Sequence, residues 1–340
     1  MRRTPWLLLP LLVQGCLAPP AEPSPTASPE PPTDVAATVG GTWTSQAALP
    51  TPRTELACAV VAGKLFAVGG FNAQAAPVGT VEAFDFAQKT WTRTADYPVA
   101  AHHLALVGHQ GSLYGFGGHT GTQVFVATNA AFRYDPASNA WTPETTLPRP
   151  RGAFAMALRA DEVFLIGGTD SQRPGSTIHS ATDVYNLTTR SWRVGPALAE
   201  PREHLAGASA LGVVVAAGGR MLTLASNVAT TEVLAPDAAA WTREDKMPTA
   251  RGGIAAASWA DQVIIFGGEH ASGTHDEAEA FNATSKRWVT YPPMPSARHG
   301  LCAAAGPDGV HVVGGGPHPA YSVSGQHEVL RPAPPIPSSG

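Results

Sequence analysis

Lys64-Leu-Phe-Ala-Val-Gly-Gly70 is a short apolar run that stops at two adjacent glycines. The same figure returns five more times, as Ser112-Leu-Tyr-Gly-Phe-Gly-Gly118, Glu162-Val-Phe-Leu-Ile-Gly-Gly168, Val213-Val-Val-Ala-Ala-Gly-Gly219, Gln262-Val-Ile-Ile-Phe-Gly-Gly268 and Val310-His-Val-Val-Gly-Gly315. A run of this length closed by a turn signal reads as a buried strand. Glycine permits positive φ and close backbone approach, so each pair leaves room for large side chains from neighbouring strands. Tryptophan recurs beside the pairs, at Trp43, Trp91, Trp141, Trp192, Trp241 and Trp288, with spacings of 48, 50, 51, 49 and 47 residues.

A period near 50 residues with one glycine pair and one tryptophan per unit resembles the Kelch repeat of β-propellers. The resemblance covers residues 41–331. It implies an all-β fold: a six-bladed Kelch propeller with four antiparallel strands, A to D, in each blade. Strand A is a small apolar run such as Leu56-Ala-Cys-Ala-Val-Val61. Strand B ends in the glycine pair, strand C ends near Phe84, Tyr134, Tyr185, Leu234, Phe281 or Leu330, and strand D carries the tryptophan. The sixth unit lacks a tryptophan, whereas Trp43 precedes the first strand A. Residues Thr42–Ala47 therefore read as strand D of the sixth blade, closing the ring by pairing the two ends of the chain and leaving no open edge.

The spacing separates frame from variable part. Seven residues lead from the strand-C apolar residue to the tryptophan, ten from there to the start of the next strand A, and 17 on to the second glycine. Only the stretch from the glycine pair to strand C varies, at 14, 16, 17, 15, 13 and 15 residues. All length variation thus falls in the B–C loops. These share one end of the ring with the D–A loops, and variable loops on one face of a repeat protein mark the binding face.

Composition agrees: 44% hydrophobic, 14% charged, 35 Gly and 32 Pro suit many short strands joined by turns. A net charge of −4 with scattered basic residues argues against nucleic acid as a partner. The N-terminus reads as an address. Arg2 and Arg3 precede the apolar run Trp6–Val13, which is far short of the ~20 residues that span a bilayer, so residues 1–15 form a signal peptide. Val13-Gln14-Gly15-Cys16 resembles the bacterial lipobox, with Gln14 departing from it, and implies lipidation of Cys16. The Arg pair also has some likeness to a twin-arginine signal. The Pro-rich residues 16–40 form a disordered linker, extended at ~3.1 Å per residue. The propeller then spans 41–332, with a disordered tail at 333–340. The expected location is exported and lipid-anchored to the bacterial cell envelope at the outer membrane, with a periplasmic or secreted protein as the alternative.

Five blades place arginine at the first strand-A position: Arg53, Arg151, Arg202, Arg251 and Arg298; blade 2 has Ala101-His102-His103 instead. Guanidinium groups fork onto carboxylates, so these arginines read either as an anion site at the channel mouth or as loop ties belonging to the repeat. His102, His103, His119, His204, His270, His275, His299 and His318 fall on the same face. They are spread over several blades without close metal-ligand spacing, so no metal and no cofactor are expected. Galactose oxidase shares the Kelch propeller and uses copper with a cysteine-linked tyrosine. Its chemistry does not carry over, because every cysteine here other than Cys16 lies in strand A. No nucleophile elbow, P-loop or paired-carboxylate motif is present.

Cys58 and Cys302 lie in strand A of blades 1 and 6, five residues after Arg53 and four after Arg298. Successive strand residues point to opposite faces, so the two side chains face each other across the closed ring, either as a disulfide or as packed free thiols. The functional expectation is a monomeric, non-catalytic envelope lipoprotein binding a protein or glycan through its B–C/D–A face. The alternative is a sugar-acid-active enzyme similar to the bacterial sialic-acid mutarotases, with Glu55, Glu203, Glu269 or Glu277 as the acid.

Overall fold

A computed structural model describes residues 36–173 and 175–333. The signal peptide, Cys16, most of the Pro-rich segment and nearly all of the tail lie outside the described residues. Among those described, all regular structure is strand except one 3-10 turn at Leu224–Ser226. Six sheets form the blades of a propeller. In blade 1, strands A (Ala57–Val61), B (Lys64–Val68), C (Val81–Asp85) and D (Thr90–Arg93) pair antiparallel in chain order.

The invariant spacing of seven has a direct cause. The strand-C apolar residue and the tryptophan are cross-strand partners: Phe84 with Trp91, Tyr134 with Trp141, Tyr185 with Trp192 and Phe281 with Trp288. Each hairpin is thus the same length. The tryptophans also clip neighbouring blades together. Trp91 Nε1 donates to the Ala47 carbonyl at 2.8 Å, Trp141 to Ala95 at 3.0 Å, and Trp241 to Pro196 at 2.8 Å. In each case the acceptor lies four residues beyond the preceding blade's tryptophan.

Ring closure follows the expected route. Strand D of blade 6 is Gly41–Ser45, paired antiparallel with strand C, His327–Pro332, so that Trp43 faces Leu330. The pairing begins earlier than the expected boundary at residue 41. Ala37–Thr38, expected to be linker, runs parallel to strand D of blade 5 and makes that sheet five-stranded. The Val39 amide extends the contact to the Thr290 carbonyl at 2.9 Å, and Val39 packs against the core between blades 5 and 6. The cause is an outer edge that would otherwise leave its backbone groups unpaired.

The cores lie between blades, where Phe66, Leu106 and Tyr134, for example, join blades 1 and 2. The A strands crowd around the axis, which is why they are built from small residues. At Gly108 an added Cβ would meet the Val60 carbonyl oxygen at 2.1 Å.

Candidate functional site

The five repeat arginines are not in the channel. Arg53, Arg151, Arg251 and Arg298 are fully buried and Arg202 is 2% exposed. Each guanidinium turns into its own blade, onto a strand-C carboxylate two residues before the apolar marker. Arg53 meets Glu82 at 2.9 Å, Arg202 meets Glu232 at 2.6 Å, Arg298 meets Glu328 at 2.6 Å, and Arg151 and Arg251 contact Asp183 and Glu279. Carbonyls at the glycine pairs take further N–H groups, as in Arg53 to Gly69 at 2.8 Å. These arginines tie the D–A and B–C loops together, with their guanidinium groups buried away from solvent. In blade 2 both partners are replaced, by Ala101 and Phe132. Tyr97 packs edge-on to Phe132 at 5.3 Å between centroids.

Two residues beyond each arginine position the chain turns over the axis. Glu55, His103, Ala153, His204, Gly253 and Gly300 all have positive φ, between 52° and 70°. Their backbones form a closed circle, each amide donating to the carbonyl of the preceding blade's member at 2.6–3.1 Å. One position earlier lie Thr54, His102, Gly152, Glu203, Gly252 and His299. They form isolated bridges with the residues that follow the glycine pairs: Phe71, His119, Thr169, Arg220, Glu269 and Gly316. These three repeat positions build the centre of the B–C/D–A face.

Their side chains form a second closed circuit. From Glu55 the contacts run to His103 (3.0 Å) and His204 (2.9 Å), then to Glu203 and Arg220 (3.4 Å). Arg220 meets Glu269 at 2.9 Å, and His299 lies 3.6 Å from Glu269 and 3.4 Å from Glu55. Three carboxylates thus face one guanidinium and a set of imidazoles. Burial holds His103 well below its ordinary pKa, and the neighbouring His204 adds to this. Burial likewise brings His102 down to about 3 and His119 to about 4. His299 goes the other way: burial lowers it, but Glu55 and Glu269 outweigh that and its net shift is upward. For Glu203, burial raises the pKa, but His204 and Arg220 carry it below the usual carboxylate range.

Above the circuit sits a cavity of about 400 Å³ with a wall of Phe71, Phe125 and Tyr321. All six blades contribute, among them Gln172 of blade 3 and Ala320 of blade 6. Of the expected histidines, His102, His103, His119, His204 and His299 converge here. His270 and His275 pair separately in the blade 5 loop, 4.8 Å between centroids, and His318 is exposed. Of the four candidate acids, Glu55, Glu203 and Glu269 join the circuit, whereas Glu277 bonds His275. Arg220 was missed by sequence. Its place directly after the glycine pair is the available signal, but that position holds a different residue in every blade.

Cys58 and Cys302 face each other between blades 1 and 6, joined as a disulfide with Cα atoms 5.5 Å apart.

Residues 36–223 match the family described as the KLHDC2/KLHL20/DRC7 Kelch-repeats domain. The Kelch-like protein terF of Aspergillus terreus is 28% identical over 68% of this chain and 42% of its own length. The human Kelch-like protein 34 is 29% identical over 43% of this chain and 23% of its own length. The chain spans less than half the length of these curated relatives. Among solved structures, that of YjhT superposes with a TM-score of 0.70 at 12% identity, covering 84% of this chain and 96% of its own, a likeness of fold alone.

Proposed function

This chain belongs to the Kelch-repeat family, and we propose that it is a binding propeller that takes a neutral glycan end in the cavity of its B–C/D–A face. The observation that carries the reading is the cavity itself, about 400 Å³ and lined by loop residues from all six blades. That volume suits one or two sugar rings rather than a folded partner. The aromatic wall offers faces for sugar C–H groups, and the acid–imidazole circuit offers hydrogen-bond acceptors and donors for hydroxyls.

The charge balance selects among ligands. Three carboxylates around one already paired guanidinium repel a further carboxylate, which disfavours the sugar-acid-active enzyme. A glycan screen on purified protein, followed by calorimetry, tests the reading. Neutral saccharides bind, and Phe125→Ala weakens them at least about tenfold. Selective binding of sialic acids would replace this reading with the enzymatic one.

We further propose that Cys16 is lipidated and that the propeller stands off the envelope on residues 16–36. Cys16→Ala then abolishes lipid labelling and frees the protein from the membrane fraction. An unmodified mature N-terminus refutes the tether.

A further inference from the structure

We propose that Glu55, His103 and His204 bind a divalent transition-metal ion on the wall of the central cavity. The argument begins with proton positions. His102 Nε2 lies 3.2 Å from the Gly121 carbonyl, which can only accept, so that nitrogen carries the proton. In the neutral ring Nδ1 is then an acceptor, and it faces His103 Nδ1. His103 must therefore donate from Nδ1, which leaves a lone pair on its Nε2. His204 Nδ1 faces the Glu203 carboxylate and donates to it. Glu203 is itself held by the Leu222 amide at 3.1 Å and by Arg220. In the neutral ring, His204 Nε2 then carries a lone pair as well.

The two lone pairs point at each other across 2.9 Å, and a Glu55 oxygen lies 3.0 Å from the first. The three donor atoms fall within 4.8 Å of one another. Three acceptors facing one another require a cation between them. Two imidazoles and one carboxylate suit zinc and its first-row neighbours rather than magnesium or calcium. The carboxylate behind His204 and the imidazole behind His103 are the back-side partners that fix tautomer and ring direction in metal-bound histidines. All three residues line the cavity, which leaves coordination positions open to water or a ligand. A proton shared by the two imidazoles is the rival occupant. The site shares the cavity wall with the proposed glycan and a bound ion would offset part of the carboxylate charge there, but its test reads metal alone and stands or falls without any glycan.

The test uses purified protein stripped with a chelator, given Zn²⁺ or Co²⁺, and assayed for bound metal after gel filtration. We expect one equivalent, with Co²⁺ showing the intense visible bands of a four- or five-coordinate site. His103→Asn and His204→Asn keep a residue that tolerates positive φ and lower affinity at least about 100-fold. Glu203→Gln, which touches only the back of His204, lowers it about 10–100-fold. Ala153→Asn, on the same backbone circle but outside the donor set, retains full binding. Less than one equivalent in the parent protein, or undiminished binding in the folded His204→Asn and Glu203→Gln variants, overturns the proposal.

Discussion

The Glu55 amide donates to the Gly300 carbonyl across 2.6 Å, joining the first blade to the last at the propeller axis. It completes a circle of six backbone bonds whose members all sit in the left-handed region. Glycine occupies only two of these positions. Side chains at the other four carry strain of ~1–3 kcal/mol each, and three of the four are Glu55, His103 and His204. The fold thus holds its reactive side chains on a strained but fully bonded ring.

The two glycines of that ring differ in their surroundings. At Gly253 an added Cβ meets Glu269 at an ordinary 3.4 Å, so Gly253→Ala costs only the left-handed strain, about 1 kcal/mol. At Gly300 it meets Thr54 Oγ1 at 2.4 Å and Glu55 Oε1 at 2.5 Å. Gly300→Ala therefore costs more and displaces Glu55. Urea denaturation of both variants checks the order, and equal losses would show that the Glu55 side chain is free to move.

Closure rests on the N-terminal strand. Trp43 packs against Phe266 at 6.0 Å and donates to the Pro292 carbonyl at 2.9 Å. A fragment starting at residue 36 keeps these contacts, while one starting at 49 loses them along with strand Gly41–Ser45 and exposes an edge. Losing a half-buried tryptophan alone costs about 3 kcal/mol. The shorter fragment melts well below the longer one and aggregates. Coincident melting curves would refute the closure.

The frame of this fold was legible because six copies repeat it: the glycine pairs, the tryptophans and the constant hairpin lengths. The site was legible only in part: its histidines and acids stood among the candidates on that face, but Arg220 and the aromatic wall did not, because they occupy positions where the copies differ. Arg220, Phe71, His119 and Glu269 share one repeat position, and no periodicity selects them. The arginines showed the converse. Their repetition is the mark of a frame role, and the acids Glu82, Asp183, Glu232, Glu279 and Glu328 repeat with them at a constant place before the strand-C marker. Blade 2 lacks both members, the one sequence sign that they belong together. The Cys58–Cys302 contact was legible from strand alternation, since the offsets from Arg53 and Arg298 differ by one.

That contact links residues 244 apart. Chain-entropy estimates for so long a loop reach ~4–5 kcal/mol. Protein recovered from an oxidising compartment has no alkylatable thiol at either position after denaturation. Its midpoint falls on reduction by an amount that Cys58→Ala abolishes. Two alkylated thiols in the unreduced sample would show that the pair is free.

Acid loosens the central cluster in a defined window. His102 and His119 titrate at about 3 and about 4 in the fold, against 6.5 when unfolded, chiefly because they are buried. Their contribution is complete above pH 6.5 and is lost as pH falls toward 4, because the unfolded chain takes up protons first. For His119 this is worth about 3 kcal/mol. His299, raised by Glu55 and Glu269, works in the opposite sense: its contribution is full below its ordinary value and is lost as pH rises through the folded value. Melting temperature therefore falls between pH 6.5 and 4.5, and His119→Gln makes that slope shallower. An unchanged slope would remove His119 from the account.

The buried pairs offer the sharpest contrast. Arg202 and Glu232 are each 2% exposed at the side chain and meet at 2.6 Å. Removing one partner strands a charge, so Arg202→Ala costs about 3–5 kcal/mol. Glu232 would keep only the Ala199 amide, at 2.8 Å. Blade 2 shows what removing both does, since Ala101 and Phe132 stand at the two positions and the blade folds on the same frame, with Tyr97 filling in. The pair Arg202→Met with Glu232→Leu should then recover most of the loss, because two desolvated charges are replaced by apolar volume. A double-mutant cycle on chemical denaturation measures the coupling, expected at about 2–3 kcal/mol. If the double variant is as unstable as the two single losses added together, the charges are specifically required and blade 2 is no guide to the other five.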